Sequence, residues 1–281
     1  DLDRAIALAP DRADLAGDRA ALFENRALDR MLLGQDPIPD LEEAIRGYGD
    51  AWKRDPSRLW MQSNRGHVCT ILAEAQKKRG LDPSESLRLA ESDFRAALAA
   101  GDLQLLYTLA ILLRSTGRAD EAVAYFNQSI EKVPRTRGMV LLDLRETLQG
   151  RADKLNREGD LEGALQGFDD SFAVWERLLN EATPDSKAKL LGDRRLFARV
   201  ASGCLNAAHA ATLLSHGEGA APGSAPAGDA ERAKLCERAI VFLERSVRFG
   251  LRDLAGVGKD AVLGPLIADP EIRQRLDRVE R

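Results

Sequence analysis

The chain has 281 residues, enough to bury a large core, and 44% of them are hydrophobic although only 5% are aromatic. Its 41 basic and 45 acidic residues give a net charge of −4, so neither sign dominates and a nucleic-acid-binding surface is not indicated. The sequence contains no apolar run of about 18 residues, so no membrane-spanning helix is predicted.

Three widely spaced cysteines, Cys69, Cys204 and Cys236, lie within helical patterns. Their odd number and their spacing favour buried, reduced thiols over a disulfide framework or a zinc site. We therefore predict a cytoplasmic location.

The first residues, DLDRAIALAP, have the pattern of a second helix that ends at a proline. We expect residues 1–10 to be the tail of a truncated repeat, and the chain to be a fragment of a longer protein. Helices are then predicted over residues 13–34 and 40–54. The segment QDPIPD between them must be a turn, because two prolines in close succession cannot continue a helix.

The next helix pair is predicted to begin at Ser57. Its first helix runs to about Arg79, the segment GLDPSES forms the turn, and its second helix ends at Gly101. The clearest stretch of the chain follows, from Leu103 to Pro134. Apolar residues recur there at helical spacing up to Gly117, and a second helix begins at Ala119.

This stretch resembles the tetratricopeptide repeat, a helix-turn-helix unit of about 34 residues. The matching positions are Leu106, Ala110, Leu113, Ala122, Phe126 and Pro134. The resemblance implies an all-α fold, a right-handed α-solenoid of helix-turn-helix repeats, in which the first helices line a concave surface that binds peptides.

The same offsets recur along the chain and predict about five units within residues 11–250. Their boundaries are 11–56, 57–102, 103–136, 137–182 and 183–250. In the last unit we predict one long first helix over roughly 185–215, then a flexible Gly/Ala/Pro/Ser insertion at 217–229.

Residues 251–281 are predicted to form a short helical cap on the last repeat. The tail also resembles the closing segment of repeat arrays that follow serine/threonine kinase domains in bacterial signalling proteins. The matching residues are Gly250, Leu251, Arg252, Asp253, Asp260, Leu263, Pro265, Leu266, Asp269 and Pro270, while Ile272 replaces the usual Phe.

A duplicated string provides the best candidates for a binding site. Asn64, His67 and Thr70 have the same spacing as Asn206, His209 and Thr212. The register places the Asn and His residues in the peptide groove, where an amide can bond both groups of an extended backbone. The alternative is common ancestry of the repeats, with these polar atoms satisfied by neighbouring helices. The same register adds Gln104, Tyr107, Arg114, Gln149, Asp153 and Asn156 to the predicted groove.

Other site types are not indicated. A carboxylate clamp of the chaperone-binding type is incomplete, because Gln104 and Thr108 stand where its basic pair is required. Motifs for serine hydrolases, zinc proteases and phosphate-binding loops are absent from the sequence, and we predict no catalytic residue, metal or cofactor. Trp52, Trp60 and Trp175 are predicted to pack in the core or between repeats.

We therefore predict a non-catalytic scaffold that binds a peptide or partner domain on the concave face of the repeats, with no nucleic acid or membrane partner. The alternative is a regulatory or self-association tail of a larger bacterial serine/threonine kinase, with a second copy or an upstream domain as the partner.

Overall fold

The computed structural model describes residues 2–9, 11–216, 229–249, 251 and 254–280. Within these ranges the regular structure is helical and no strand is present, so the all-α class predicted from the sequence is confirmed. The predicted insertion falls outside the described residues except for Asp229. Pro10, Gly250, Arg252 and Asp253, which carried parts of the sequence patterns, also lie outside them.

The chain forms two compact units, Asp1–Pro134 and Arg135–Arg281, which we call the N-terminal unit and the C-terminal unit. The N-terminal unit contains seven described helices. They are α1 (Leu2–Leu8), α2 (Ala13–Leu32), α3 (Ile38–Arg54), α4 (Leu59–Lys78), α5 (Ser84–Ala99), α6 (Leu105–Ser115) and α7 (Ala119–Lys132).

Helices that are adjacent in sequence pack against each other as the pairs α2–α3, α4–α5 and α6–α7. Gly117 ends the first helix of the third pair with a φ of 81°, a left-handed conformation that glycine adopts without steric cost. The predicted break at this glycine therefore coincides with the turn between α6 and α7.

The offset of four residues between a small and a large side chain marks the buried face of each second helix. Both members of every pair are buried: Ala44 and Tyr48, Ala90 and Phe94, Ala122 and Phe126, Ala164 and Phe168, and Ala239 and Leu243. The recurring pattern thus records where a second helix contacts its neighbours.

Small residues allow the helices to approach closely. A Cβ atom added to Gly66 of α4 would lie 2.6 Å from a ring carbon of Phe94 of α5, so the ring packs directly against the glycine backbone. Trp60 is 39% exposed, yet its ring covers Gly17 of α2, a contact between successive repeats. Trp52 packs beside a small apolar cluster, and Trp175 is fully buried.

The C-terminal unit contains eight described helices. They are α8 (Arg137–Glu158), α9 (Leu161–Glu181), α10 (Pro184–Gly192), α11 (Arg194–Ser215), α12 (Asp229–Arg248), α13 (Leu254–Val257), α14 (Gly264–Ala268) and α15 (Pro270–Glu280). The main pairs are α8–α9 and α11–α12, and α9 also packs against α11.

The prediction of one continuous helix over residues 185–215 is wrong. Asp193 separates α10 from α11 with an extended backbone, and its carboxylate accepts hydrogen bonds from the backbone N–H groups of Arg195 and Leu196. These bonds satisfy donors at the start of α11 and favour a new helix start at this point.

The C-terminal segment, defined here as residue 251 together with residues 254–280, packs against α12 through α15. Leu263, Ile267 and Leu276 are buried. Arg275 of α15 donates hydrogen bonds to Glu237 and Glu244 of α12. Apolar contacts and ion pairs therefore hold this segment on the last helix pair.

Candidate binding groove

A groove of about 490 Å³ lies in the C-terminal unit between α8, α11 and the C-terminal segment. We call it the C-terminal groove. Its lining residues are Asn156, Leu205, Asn206, His209, Leu251, Gly256, Val257, Asp260 and Leu263. Three of the predicted site residues, Asn156, Asn206 and His209, thus lie on one surface.

The first helices of two successive pairs form the polar wall of this groove. The Asn206 amide of α11 donates a hydrogen bond of 2.8 Å to the Asp153 carboxylate of α8. A side-chain amide has two N–H donors and one carbonyl acceptor, and this bond uses a single donor. The predicted residue Asp153 therefore adjoins the groove and fixes the Asn206 side chain.

The opposite wall comes from the C-terminal segment. The Asp260 carboxylate accepts hydrogen bonds of 2.8 and 2.9 Å from the backbone N–H groups of Val262 and Leu263. The Leu263 N–H, together with the Val262 N–H and the nearby His209, holds the pKa of Asp260 below its usual value. An ionised carboxylate therefore stabilises this turn beside the groove.

The side chain of Gln149 forms hydrogen bonds within the C-terminal unit. Its side-chain oxygen accepts a hydrogen bond of 2.7 Å from Arg145, and its side-chain nitrogen donates one of 3.0 Å to the backbone carbonyl of Arg199. It also lies against Gly203 of α11. Gln149 thus connects α8 with α11, and these two bonds occupy both ends of its amide.

The other copy of the duplicated string lies in the N-terminal unit. Asn64 is half-buried and contacts the Tyr48 hydroxyl at 3.5 Å, and that hydroxyl donates a 2.8 Å hydrogen bond to Glu24. Burial, with smaller contributions from Glu24 and Asp18, raises the pKa of Tyr48. The contact with Asn64 acts in the opposite direction. These contacts connect α2, α3 and α4.

His67 packs its ring edge against Phe94, with ring centroids 5.1 Å apart. Burial lowers the pKa of His67, although Glu24 and Asp102 act in the opposite direction. The predicted residues of the third repeat also lie in the N-terminal unit. Gln104 is exposed, while Tyr107 and Arg114 are half-buried on α6.

Several relevant residues escaped the sequence analysis. Asp260 and Leu263 were noted only as parts of the tail pattern, and no local signal indicates that they face α11. Arg145 was missed altogether. It lies one turn from Leu141 and Leu148 on the apolar stripe of α8, and that periodicity would have marked it as a buried charge.

In the part of the chain that the structure describes, no helix combines the length and the apolar character needed to cross a membrane. The same residues contain no group of three or more His, Cys, Asp or Glu side chains arranged to hold a metal ion.

No protein-family model and no curated protein matches the chain. Among solved structures, a TPR repeats protein from Bacteroides fragilis is similar, with 13% sequence identity and a TM-score of 0.45. The similarity covers 93% of this chain and 97% of that chain. Likeness at this level carries no information on a ligand, so we infer function from this chain's own residues.

Proposed function

We propose that the chain is a non-catalytic protein-interaction module that binds an extended peptide segment of a partner protein in the C-terminal groove. The convergence of Asn156, Asn206 and His209 beside apolar side chains carries this proposal. These three residues come from the first helices of two successive pairs, which are held together by the bond between Asn206 and Asp153.

The groove has the groups that peptide recognition requires. Side-chain amides can bond both the N–H and the C=O of an extended ligand backbone. Leu205, Leu251, Val257 and Leu263 offer apolar surface for a ligand side chain. The volume of 490 Å³ lies within the range of about 300 to 1,000 Å³ that ligand sites occupy.

The negative charge beside the C-terminal groove restricts which peptides can bind there. Asp153 and Asp260 adjoin or line it, and His209 is the ionisable side chain that accompanies them among the described lining residues. An acidic segment would be repelled by the two carboxylates. We therefore expect the bound peptide to be neutral or basic.

A random peptide library displayed on phage, selected against the 281-residue chain, tests this function. Selected peptides are synthesised with a fluorophore, and their affinities are measured by anisotropy. We expect Asn156→Ala and His209→Ala to weaken binding by about 5- to 150-fold, since each substitution removes hydrogen bonds worth about 1–3 kcal/mol.

The duplicated string provides the matched control. Asn64→Ala removes from the N-terminal unit the amide that corresponds to Asn206, and it should leave the affinities unchanged. The proposal is overturned if the library contains no binder, or if Asn64→Ala weakens binding as much as Asn156→Ala does. Circular dichroism of each variant separates loss of binding from loss of folding.

The C-terminal segment also bears on the alternative of a kinase-linked tail. Asp260 and Asp269 each accept hydrogen bonds from backbone N–H groups two and three residues later. Leu263 is buried. The fold of the segment thus accounts for these positions, and we propose no kinase-linked role.

A further inference from the structure

The C-terminal unit buries a guanidinium group that does not line the C-terminal groove. Arg145 of α8 is 2% exposed and lies between Leu141 and Leu148 on the packed face of that helix. Its Nη1 atom donates a hydrogen bond of 2.7 Å to Gln149. Within the part of the chain that the structure describes, its Nε and Nη2 atoms have no hydrogen-bond partner.

An arginine remains protonated in proteins, so this group carries its charge into the interior. Burial lowers the pKa of Arg145. A buried ion carries a large energetic penalty unless a counter-charge and hydrogen bonds compensate it. The two unsatisfied nitrogen atoms therefore require a hydrogen-bond acceptor.

The neighbouring carboxylate supplies only part of the compensation. The Oε1 atom of Glu146 lies 3.6 Å from Nη2 of Arg145, but it lies 2.5 Å from Nη1 of Arg199. One carboxylate is thus shared between two guanidinium groups. A third cation, Arg245, lies over the ring of Phe172 at 3.8 Å, and that ring belongs to the same region. The local charge is therefore positive.

A small cavity lies beside Arg145. Its other lining residues include Ser171, Trp175, Gly203, Cys204 and Phe242. The space has a volume of about 20 Å³, whereas one water molecule requires about 10–15 Å³. Beside Arg145 it accommodates one particle of roughly this size.

We propose that this cavity binds a single halide ion, chloride under physiological conditions, which accepts hydrogen bonds from Nε and Nη2 of Arg145. Size and charge together select this ligand. Water could accept the same hydrogen bonds, but it would leave the excess positive charge uncompensated. A halide ion supplies the acceptor and the counter-charge in the same volume. It would stabilise the C-terminal unit where Gln149 connects α8 with α11.

Diffraction from crystals of the full chain in which bromide replaces chloride gives the direct test. We expect an anomalous bromine peak within hydrogen-bond distance of Nε and Nη2 of Arg145. An ordered water or empty density at that position, with no anomalous signal, would overturn the proposal.

A second test uses thermal unfolding at constant ionic strength, with sodium gluconate progressively replaced by sodium chloride. Ligand binding to the folded state alone raises the unfolding midpoint with concentration. We expect the wild type to show this rise and Arg145→Met to lose it. The variant should still fold, because methionine is similar in length to the buried side chain and needs no hydrogen bonds, and Glu146 keeps its pair with Arg199.

Arg238→Met is the matched control, since Arg238 pairs with Asp169 at a partly exposed position. It should retain the full response to chloride. Equal chloride responses in wild type and Arg145→Met would contradict the proposal. So would a chloride response that Arg238→Met loses as completely as Arg145→Met does.

Discussion

The guanidinium of Arg65 forms a bidentate pair with the carboxylate of Asp93, with N–O distances of 2.6 and 2.8 Å. The Asp93 side chain is 1% exposed, and that of Arg65 is 17% exposed. Arg65 also lies against Gly49 of α3 and over the ring of Trp52. A single side chain of α4 thus contacts both α3 and α5.

Removal of one member of this pair should destabilise the N-terminal unit strongly. We expect Asp93→Ala to lower the free energy of unfolding by about 3 kcal/mol, because it leaves a largely buried cation without its counter-ion. Replacing both members, as Arg65→Met with Asp93→Leu, should cost less than the single change. Urea denaturation followed by circular dichroism measures these differences.

The exposed pair Arg88–Glu85 provides the control for that experiment. Both of its side chains are at least 70% exposed, so Glu85→Ala should have little effect on the stability. Equal losses in Asp93→Ala and Glu85→Ala would show that the buried pair contributes no more than a surface one.

The contact between Gly66 and Phe94 predicts an unfavourable substitution. A methyl group at position 66 would meet two ring carbons of Phe94 at 2.6 and 2.9 Å, so the ring must move. We expect Gly66→Ala to cost about 1–3 kcal/mol through overpacking. Urea unfolding of the full chain measures the change.

Gly150 of α8 offers the opposite case, because a Cβ atom there meets nothing within 4 Å. Gly150→Ala should therefore stabilise the C-terminal unit by about 0.5–1 kcal/mol through the better helix propensity of alanine. If both substitutions stabilise the protein, the packing of Phe94 on Gly66 is looser than the structure shows.

His67 should make the N-terminal unit sensitive to acid. Burial lowers its pKa in the folded chain, so the unfolded chain binds more protons as the pH falls through the unfolded pKa of about 6.5. The stability from the neutral imidazole is present above that pKa and is lost as the pH falls towards the folded pKa. Urea midpoints at about pH 7.5 and about pH 5.5 should show the loss in wild type.

His67→Gln should reduce this pH-dependent difference, whatever its effect on absolute stability. His216 is exposed at the end of α11, so His216→Gln serves as the control and should leave the difference unchanged. An undiminished difference in His67→Gln would show that other groups cause the acid sensitivity.

The three cysteines should differ in reactivity. Burial raises the pKa of both Cys69 and Cys204 to about 12, whereas Cys236 is half-buried. Because the thiolate is the reactive form, iodoacetamide at mildly alkaline pH should modify Cys236 first. Mass spectrometry of peptides from the native protein identifies the site. In urea all three thiols should react, and rapid native labelling of Cys69 or Cys204 would contradict their burial.

The repeating helix pairs were predictable because their pattern is local. A small residue followed four positions later by a large one marks the face on which a second helix packs. The pair Ala122 and Phe126 is buried, as are its equivalents in the other repeats. The break between α10 and α11 at Asp193 could also have been predicted, since aspartate is a preferred residue at a helix start.

The arrangement of the C-terminal unit, including its groove, was less predictable, because it depends on contacts between residues far apart in sequence. The helical register alone did not indicate that the Arg199 carbonyl lies where Gln149 points. The register also did not indicate that Asp260 of the C-terminal segment lies beside His209. Such contacts follow from the spacing between helix pairs, which the local pattern does not encode.

The packing of helices against their immediate neighbours in sequence also has a kinetic consequence. The partners α2 and α3, α4 and α5, α6 and α7, and α8 and α9 are each separated by a short turn. Chains dominated by such local contacts close small loops first and fold rapidly, with little entropy lost before contacts form. Each helix pair can therefore act as a starting point for folding within its unit, and the remaining helices can add to it in turn.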